Sequence, residues 1–401
     1  MIKRVPTDQL EPGMFIHDLN CGWLAHPFVL NQFKIVNQAE IDKIAGYGIK
    51  EVYIDTALGS DVPGAQTQAE IHEELDRKMV DVVKETEKPI SHTSVDEELV
   101  YAKQVFSEAN QVIHDIMSDV RFGKQIELEK IEPVVENMTL SVLRNSGALT
   151  SLARVKQKDN YTFLHSVSVG VLLINFCQHL GLGREIIQQA GVGGLLHDIG
   201  KMKTPIGVLN KPAKLSDEEL LIMKQHVMHG IAILQNTAGV TPLSLSIAAQ
   251  HHERVDGSGY PASLKGNEIS QFGQMAAIVD VYDAITSNRI YHQAMEPTAA
   301  LRKLLEWSKF HFNEELVQHF IRCIGIYPVG TLVSLESGLL GVVIEEGTQN
   351  LLHPIVRVVY DSRKDSPLTP YEIDLSQASA KDRIVGHESP AKWKIDTQQF
   401  L

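Results

Sequence analysis

Between residues 165 and 280 the chain places histidines and aspartates on successive helical segments, a pattern that only a convergent bundle can use. In order they are His165, the pair His197-Asp198, His226, the tandem His251-His252, and Asp280. The chain holds 17 histidines, more than a packed interior needs. Each of the ordered set falls on, or at the end of, a predicted helix, so a bundle can turn all of them onto one centre. The donors are nitrogen and oxygen with no sulfur, which suits iron, manganese or a similar divalent ion better than structural zinc. Asp198 has the position expected of a bridge, because one carboxylate can hold two ions about 3.5 to 4 Å apart.

A lone histidine on an amphipathic helix is more often structural than a ligand, and His179, His229, His292 and His311 are read that way. In so histidine-rich a chain, any single His-Asp or His-His pair also arises by chance. The ordered set and its flanking residues together carry the reading.

Hydrophobic periodicity places the set on a helical region from about 131 to 325. Tyr161–Leu180 carries Leu164, Val169, Leu172 and Phe176 on one stripe and is closed by Gly181. Ser216 and Glu219 form a capping box for a helix expected to run past Leu234. Thr241-Pro242 starts another, ending near His252, and Phe272–Thr286 is a further apolar helix. Beyond about 327 the pattern changes to short β-branched runs, Thr331–Leu335, Leu340–Glu345 and Ile355–Tyr360. The last twenty residues are polar and expected to be loosely held. At the other end, residues 1 to about 57 read as a small α+β unit. Its helix ends near Gly46 and Gly48 before the alternating run Lys50–Asp55. LGSDVPGAQTQ reads as a linker. The charged stretch from Ala69 to about Ile113 reads as a helical pair, broken near Pro89 and suited to self-association as a homodimer.

At 401 residues, 43% hydrophobic and 22% charged, the chain can bury several ordinary cores. A net charge of −13 argues against DNA or an anionic membrane as partner. An anionic substrate would then need bound metals and a few local cations. Cys21, Cys177 and Cys323 are far apart, which fits a reducing cytosol. With no apolar leader segment and no run long enough to span a bilayer, the protein reads as cytoplasmic.

The flanking residues carry a resemblance. LLHDIGK at 195–201, HHERVDGSGYP at 251–261 and IVDVYDAITSNRIY at 278–291 together resemble the HD-GYP family of bacterial cyclic-dinucleotide phosphodiesterases. Three motifs in order, across about half the chain, make the resemblance specific. The first sixty residues, with LEPGMFIHDL, more weakly resemble an uncharacterised domain found ahead of HD-GYP domains. The fold implied is mainly α. It has an HD-type helical bundle as catalytic domain (131–325), a small α+β N-terminal domain (1–65), a helical linker (66–130), and a small β extension with a tail (326–401).

Carried over residue by residue, the resemblance implies metal ligands at His165, His197, Asp198, His226, His251, His252 and Asp280. It puts the substrate-phosphate lysine at Lys201, which shares a helix face with His197. Asp283 is implied to hold this lysine or the substrate, and Arg289 to contact phosphate. Gly259, Tyr260 and Pro261 form the signature loop, with Tyr260 suited to stacking on a base. Two departures stand out. Where some members hold a third metal through a glutamate, this chain has Tyr161, with Asp159 out of register, so two metals are expected. His292 replaces a common basic residue, which would alter contact with the second phosphate.

The implied reaction is hydrolysis of cyclic di-GMP or 3′,3′-cyclic GMP-AMP to the linear dinucleotide, with further hydrolysis to mononucleotides left open. Two divalent ions, iron or manganese, would supply the nucleophile near neutral pH. Lys201 and Arg289 would meet charge building on phosphate. An HD-type di-iron oxygenase shares the ligand order but has no need of Lys201 or the GSGYP loop. A non-catalytic module docking a cyclase-type partner through that loop would be expected to have decayed ligands.

Overall fold

The computed structural model describes residues 1–22, 28, 32–84, 86, 93–154, 161–287, 294–347 and 350–401. Pro89, Asp159, Arg289 and His292 lie outside the described residues. The chain divides into two compact units, Met1–Lys78 with Pro205–Lys224, and Met79–Thr204 with Gln225–Leu401.

The first unit is built on an antiparallel sheet of β1 (Ile2–Pro6), β2 (Phe15–Asp18), β3 (Phe33–Lys34) and β4 (Glu51–Asp55), in the order β1-β4-β2-β3. Helix α1 (Gln38–Gly46) precedes β4 and starts where the Asn37 side chain accepts from the Glu40 amide. Val5, Ile16, Ile44, Val52 and Ile54 close the core, as the alternation in KEVYID requires. Helix α2 (Gln68–Val83) runs across the division between the units.

The second unit opens with α3 (Val95–Arg121), whose Ser94 and Glu97 form a capping box. Its apolar stripe, including Leu99, Ala102, Val105, Ala109 and Ile113, is buried. The helix packs on α4 (Glu132–Arg144), α5 (Ser146–Ala153) and α6 (Tyr161–His179). The apolar face of α3 is therefore used within the chain. Buried Glu98 of α3 accepts from Ser141 Oγ at 2.7 Å and from Arg144 Nε at 2.6 Å, tying α3 to α4. Next, α7 (Arg184–Leu196) lies along α6 and ends in a 3-10 turn, Ile199–Lys203.

Helices α8 (Ile206–Leu209) and α9 (Asp217–Lys224) belong to the first unit, where Tyr47 Oη donates to Asp217 at 2.8 Å. The long helix expected from Ser216 past Leu234 is interrupted at Gln225. Helix α10 (His226–Gln235) begins afresh with His226 as its first residue. Apolar spacing continues through the break, so periodicity alone cannot reveal it. Helix α11 (Pro242–Gln250) starts at Thr241, whose hydroxyl accepts from the Ser244 amide. It packs on α7 and on α12 (Gln271–Ile285), and α12 in turn packs on α6. Helices α13 (Pro297–Trp307) and α14 (Glu314–Ile324) complete the bundle.

A second antiparallel sheet follows, formed by β5 (Leu332–Leu335), β6 (Leu339–Glu345), β7 (Ile355–Asp361), β8 (Ser366–Asp374) and β9 (Ile384–His387). Two of its strands escape the sequence reading. β8 carries Pro367 and Pro370 and is tolerated because it is an edge strand. β9 is only four residues long. The C-terminal tail is also more ordered than its polarity implies. After α15 (Pro390–Trp393), its few apolar residues, Trp393, Ile395, Phe400 and Leu401, dock on Leu332, Leu340, Val342 and Val359. Arg357 Nη1 donates to the Phe400 carbonyl at 2.6 Å. The fold is thus mainly helical with a small sheet toward each end.

One contact positions the site directly. A Cβ at Gly200 would lie 1.9 Å from the His226 carbonyl oxygen and 2.4 Å from the Gly230 nitrogen. Only glycine lets the 3-10 turn after α7 meet the start of α10 backbone to backbone. Gly200→Ala is expected to cost about 3 kcal/mol, as overpacking of a close contact does. Urea denaturation measures it, and a variant as stable as the parent would disprove the contact.

Candidate metal centre

The turns that end α7 and α11, the first residue of α10, and one face each of α6 and α12 bring His165, His197, Asp198, His226, His251, His252 and Asp280 to one buried place. Three groups of donor atoms, His226/His251/His252, His165/His197/Asp280 and His197/Asp198/His251, each lie within 4.8 Å of one another. The Asp198 carboxylate stands between them. Its Oδ2 is 3.3 Å from His197 Nε2 and 3.5 Å from His165 Nε2. Its Oδ1 is 3.3 Å from His226 Nε2 and 3.9 Å from His251 Nε2. Asp280 adds a second carboxylate, with Oδ1 3.0 Å from His165 Nε2 and Oδ2 3.7 Å from His252 Nδ1.

The outer ring nitrogens are already engaged. His165 Nδ1 donates to Asp283 Oδ2 at 2.6 Å, His197 Nδ1 to the Gly194 carbonyl at 2.7 Å, and His251 Nδ1 to the Ala248 carbonyl at 2.9 Å. Each bond fixes the tautomer that leaves Nε2 as a lone-pair donor turned inward, the arrangement metal-ligating histidines adopt. His197 Nε2, Asp198 Oδ1 and His252 Nε2 are buried without a hydrogen-bond partner in the protein. Buried polar atoms left unpaired are costly unless something else pairs them. A divalent cation fits these atoms.

The electrostatics agree. Burial works against ionisation of Asp198, but Lys201 and His197 outweigh it and hold its carboxyl well below the usual range. Asp280 is also held low, burial being outweighed by the hydrogen bond from His165 and by the nearby histidines. Burial, reinforced by His197, pushes His251 down to about 3, and burial with His251 pushes His252 well below its ordinary value. On His197 burial opposes charge, yet the neighbouring Asp198 and Asp280 raise its pKa. Two ionised carboxylates beside two neutral imidazoles make a buried negative field, the ligand form in which such residues bind cations.

Lys201 reaches this field through the 3-10 turn rather than along a continued α7. Its Nζ pairs with Asp198 Oδ2. The expected helix face shared with His197 does not form, because α7 ends at Leu196. Asp283, assigned by resemblance to the lysine or the substrate, is buried and accepts from His165. Arg289 is not among the described residues, nor is the side chain of Tyr161. Among the histidines set aside as structural, His179 packs edge-on to His319 at 6.1 Å and His311 lies 3.8 Å from Asp256.

The signature loop is held by two residues that the sequence reading passed over. Glu253 is buried, and its two carboxylate oxygens accept from the Ala262 amide at 2.7 Å and the Leu264 amide at 3.0 Å. Arg254 donates to the Glu253 carbonyl at 2.8 Å and lies over the Phe312 ring at 5.2 Å. A Cβ at Gly259 would fall 2.4 Å from the Arg254 nitrogen, so the loop folds back tightly there. The Tyr260–Pro261 peptide bond is cis. The Tyr260 ring packs on His252, with centroids 4.7 Å apart and planes at 30°. An acid directly after two histidines and nine residues before Ala262 was the available signal for Glu253.

Residues 143–316 match the HD domain, and residues 2–131 match a domain of unknown function (DUF3391). A cyclic di-GMP phosphodiesterase of Pseudomonas aeruginosa is 38% identical over 98% of this chain and 94% of its own length. The chain belongs to the HD-GYP family of cyclic-dinucleotide phosphodiesterases. A cyclic di-GMP phosphodiesterase of Thermotoga maritima is 36% identical over 41% of this chain and 45% of its own length. The 3′3′-cGAMP-specific phosphodiesterase 1 of Vibrio cholerae is 39% identical over 35% of this chain and 32% of its own length. HD domains bind divalent metals, and this chain carries buried His/Asp clusters of the kind that could hold them. The N-terminal match reaches well past the sixty residues on which the sequence resemblance rested, taking in α2 and α3. Among the described residues no helix is long and apolar enough to cross a membrane.

Glu253→Gln removes one of two acceptor oxygens and turns an amide donor toward a backbone N–H. It is expected to destabilise the fold by about 2 kcal/mol, the cost of a lost charge-assisted bond and an unpaired donor. Thermal or urea denaturation checks this, and parental stability would show that Glu253 does not hold the loop.

Proposed function

We propose that this chain is a metal-dependent phosphodiesterase that opens a cyclic dinucleotide, cyclic di-GMP or 3′,3′-cyclic GMP-AMP, to the linear dinucleotide. The observation that carries the proposal is Asp198, whose two oxygens face two separate histidine sets while Lys201 pairs with the same carboxylate. His165, His197, Asp198 and Asp280 would hold one ion. His226, His251 and His252 would hold a second, shared through Asp198. Iron or manganese suits these donors. When bound, the ions supply Lewis acidity for the phosphate and an acidified water near neutral pH.

The chain's own groups do the rest. Lys201 carries its ammonium to the edge of the ligand set, where a phosphodiester gives it a second anionic partner as charge builds on the equatorial oxygens. Burial holds the Tyr260 phenol well above its ordinary pKa, so the ring walls His252 as a neutral group. Gly259 and Pro261 shape the loop beside it. Asp283 orients His165, and Arg289 is assigned as a second phosphate clamp. Residues 131–325 are read as the catalytic domain, 66–130 as a helical connection, 1–65 as a regulatory domain, and 326–401 as a β extension. With a second messenger as substrate and three widely spaced cysteines, Cys21, Cys177 and Cys323, that suit a reducing compartment, the protein is assigned to the cytoplasm.

The test is anaerobic purification with metal counting, followed by hydrolysis of cyclic di-GMP and cyclic GMP-AMP side by side. Asp198→Ala is expected to lose metal and turnover together, and survival of either sinks the assignment. Asp283→Asn, which weakens the grip on His165, is expected to lower metal affinity about 10- to 100-fold. Competition with a metal chelator reads that affinity, and an unchanged value would return Asp283 to a substrate role.

A further inference from the structure

A cavity of about 480 Å³ lies in the second unit and shares no lining residue with the metal centre. That volume falls within the range of small-molecule sites, which run from about 300 to 1,000 Å³. Its floor is one face of α10, where His229, Ala232, Ile233 and Asn236 repeat at helical spacing. Ile126 adds to the apolar wall, and Lys203 and Lys124 bring two ammonium groups to it. Two cations at one cavity stand out in a chain of net charge −13. Lys124 pairs with Asp119 at 2.8 Å, whereas Lys203 makes a long bond of 3.4 Å to the Val120 carbonyl. The His229 Nδ1 atom is buried with no hydrogen-bond partner in the protein. Asn236 and Thr237, by contrast, donate to carbonyls of their own helix at 2.7 and 3.0 Å.

We infer that this cavity is a second ligand site for an amphipathic anion of nucleoside-monophosphate build. Its acidic oxygens lie toward Lys203 and Lys124, its polar edge meets His229, and its flat body rests on Ile126, Ala232 and Ile233. The site is placed to act on the metal centre. His229 is one turn along α10 from His226, an axial rise of about 4.5 Å. Lys203 ends the 3-10 turn that carries Lys201, and Gly200 locks that turn to α10. An occupant therefore grips both elements that deliver His226 and Lys201, which is how a bound anion couples to a distant step.

The test uses the metal-loaded full chain titrated calorimetrically with GMP and, separately, with inorganic phosphate. Ala232 is exposed, so Ala232→Trp fills the cavity without burying strain in the core. It is expected to remove one equivalent of GMP binding. Lys203→Ala is expected to weaken that equivalent about tenfold, the loss of one charge-assisted contact. Metal content stays parental in both variants. GMP binding unchanged in both variants overturns the inference, as does phosphate binding at this site as tightly as GMP. Because the readout is binding and not hydrolysis, this result is separable from the fate of the phosphodiesterase reading.

Discussion

The second unit is organised around a buried carboxylate, Asp198, whose Oδ1 has no hydrogen-bond partner in the protein. Asp198 is buried and ionised, with imidazoles from α6, α7, α10 and α11 gathered on its two oxygens. An isolated buried charge is too costly to keep, so the fold must surround it with cations and fixed donors. Lys201 supplies one positive charge. The remaining field, with Asp280 adding to it, is one that a divalent cation would relieve. Burial also pushes the pKa values of His251 and His252 down, which keeps both rings neutral and able to ligate.

Around this centre the scaffold works mainly by fixing directions. Three histidines are locked through Nδ1, two by carbonyls of their own helix ends and one by Asp283 from another helix. The signature loop follows the same logic. Buried Glu253 ties down two amides ahead, and Arg254 is held against Phe312, so the loop returns Tyr260 onto His252. Asp283, Glu253 and Arg254 thus determine where His165 and Tyr260 point, as preorganised sites require.

Much of this was legible in the sequence for physical reasons. The metal-type residues sit at helix positions or helix ends, and the bundle brings the whole ordered set together. Apolar periodicity located α6, α11 and α12 nearly to the residue. Where the reading failed, the deciding contact was tertiary. Gln225 interrupts a helix whose hydrophobic pattern runs on without a break, and the close approach of Gly200 to α10 leaves no trace in periodicity. The tail looked loose because it is polar, yet four apolar residues suffice to dock it. Lys201 was read along a helix that in fact stops at Leu196, and Asp283 was read from its spacing to Asp280 and from the resemblance, without the His165 contact that long-range packing creates.

The bridging role proposed for Asp198 is open to one direct observation. Crystals of the metal-loaded protein can be measured at the absorption edge of the bound ion, where anomalous peaks locate each metal without reference to activity. Two peaks are expected, one on each side of the Asp198 carboxylate and about 3.5 to 4 Å apart. A single peak on one histidine set, or two peaks that leave either Asp198 oxygen uncoordinated, would contradict a shared dimetal centre.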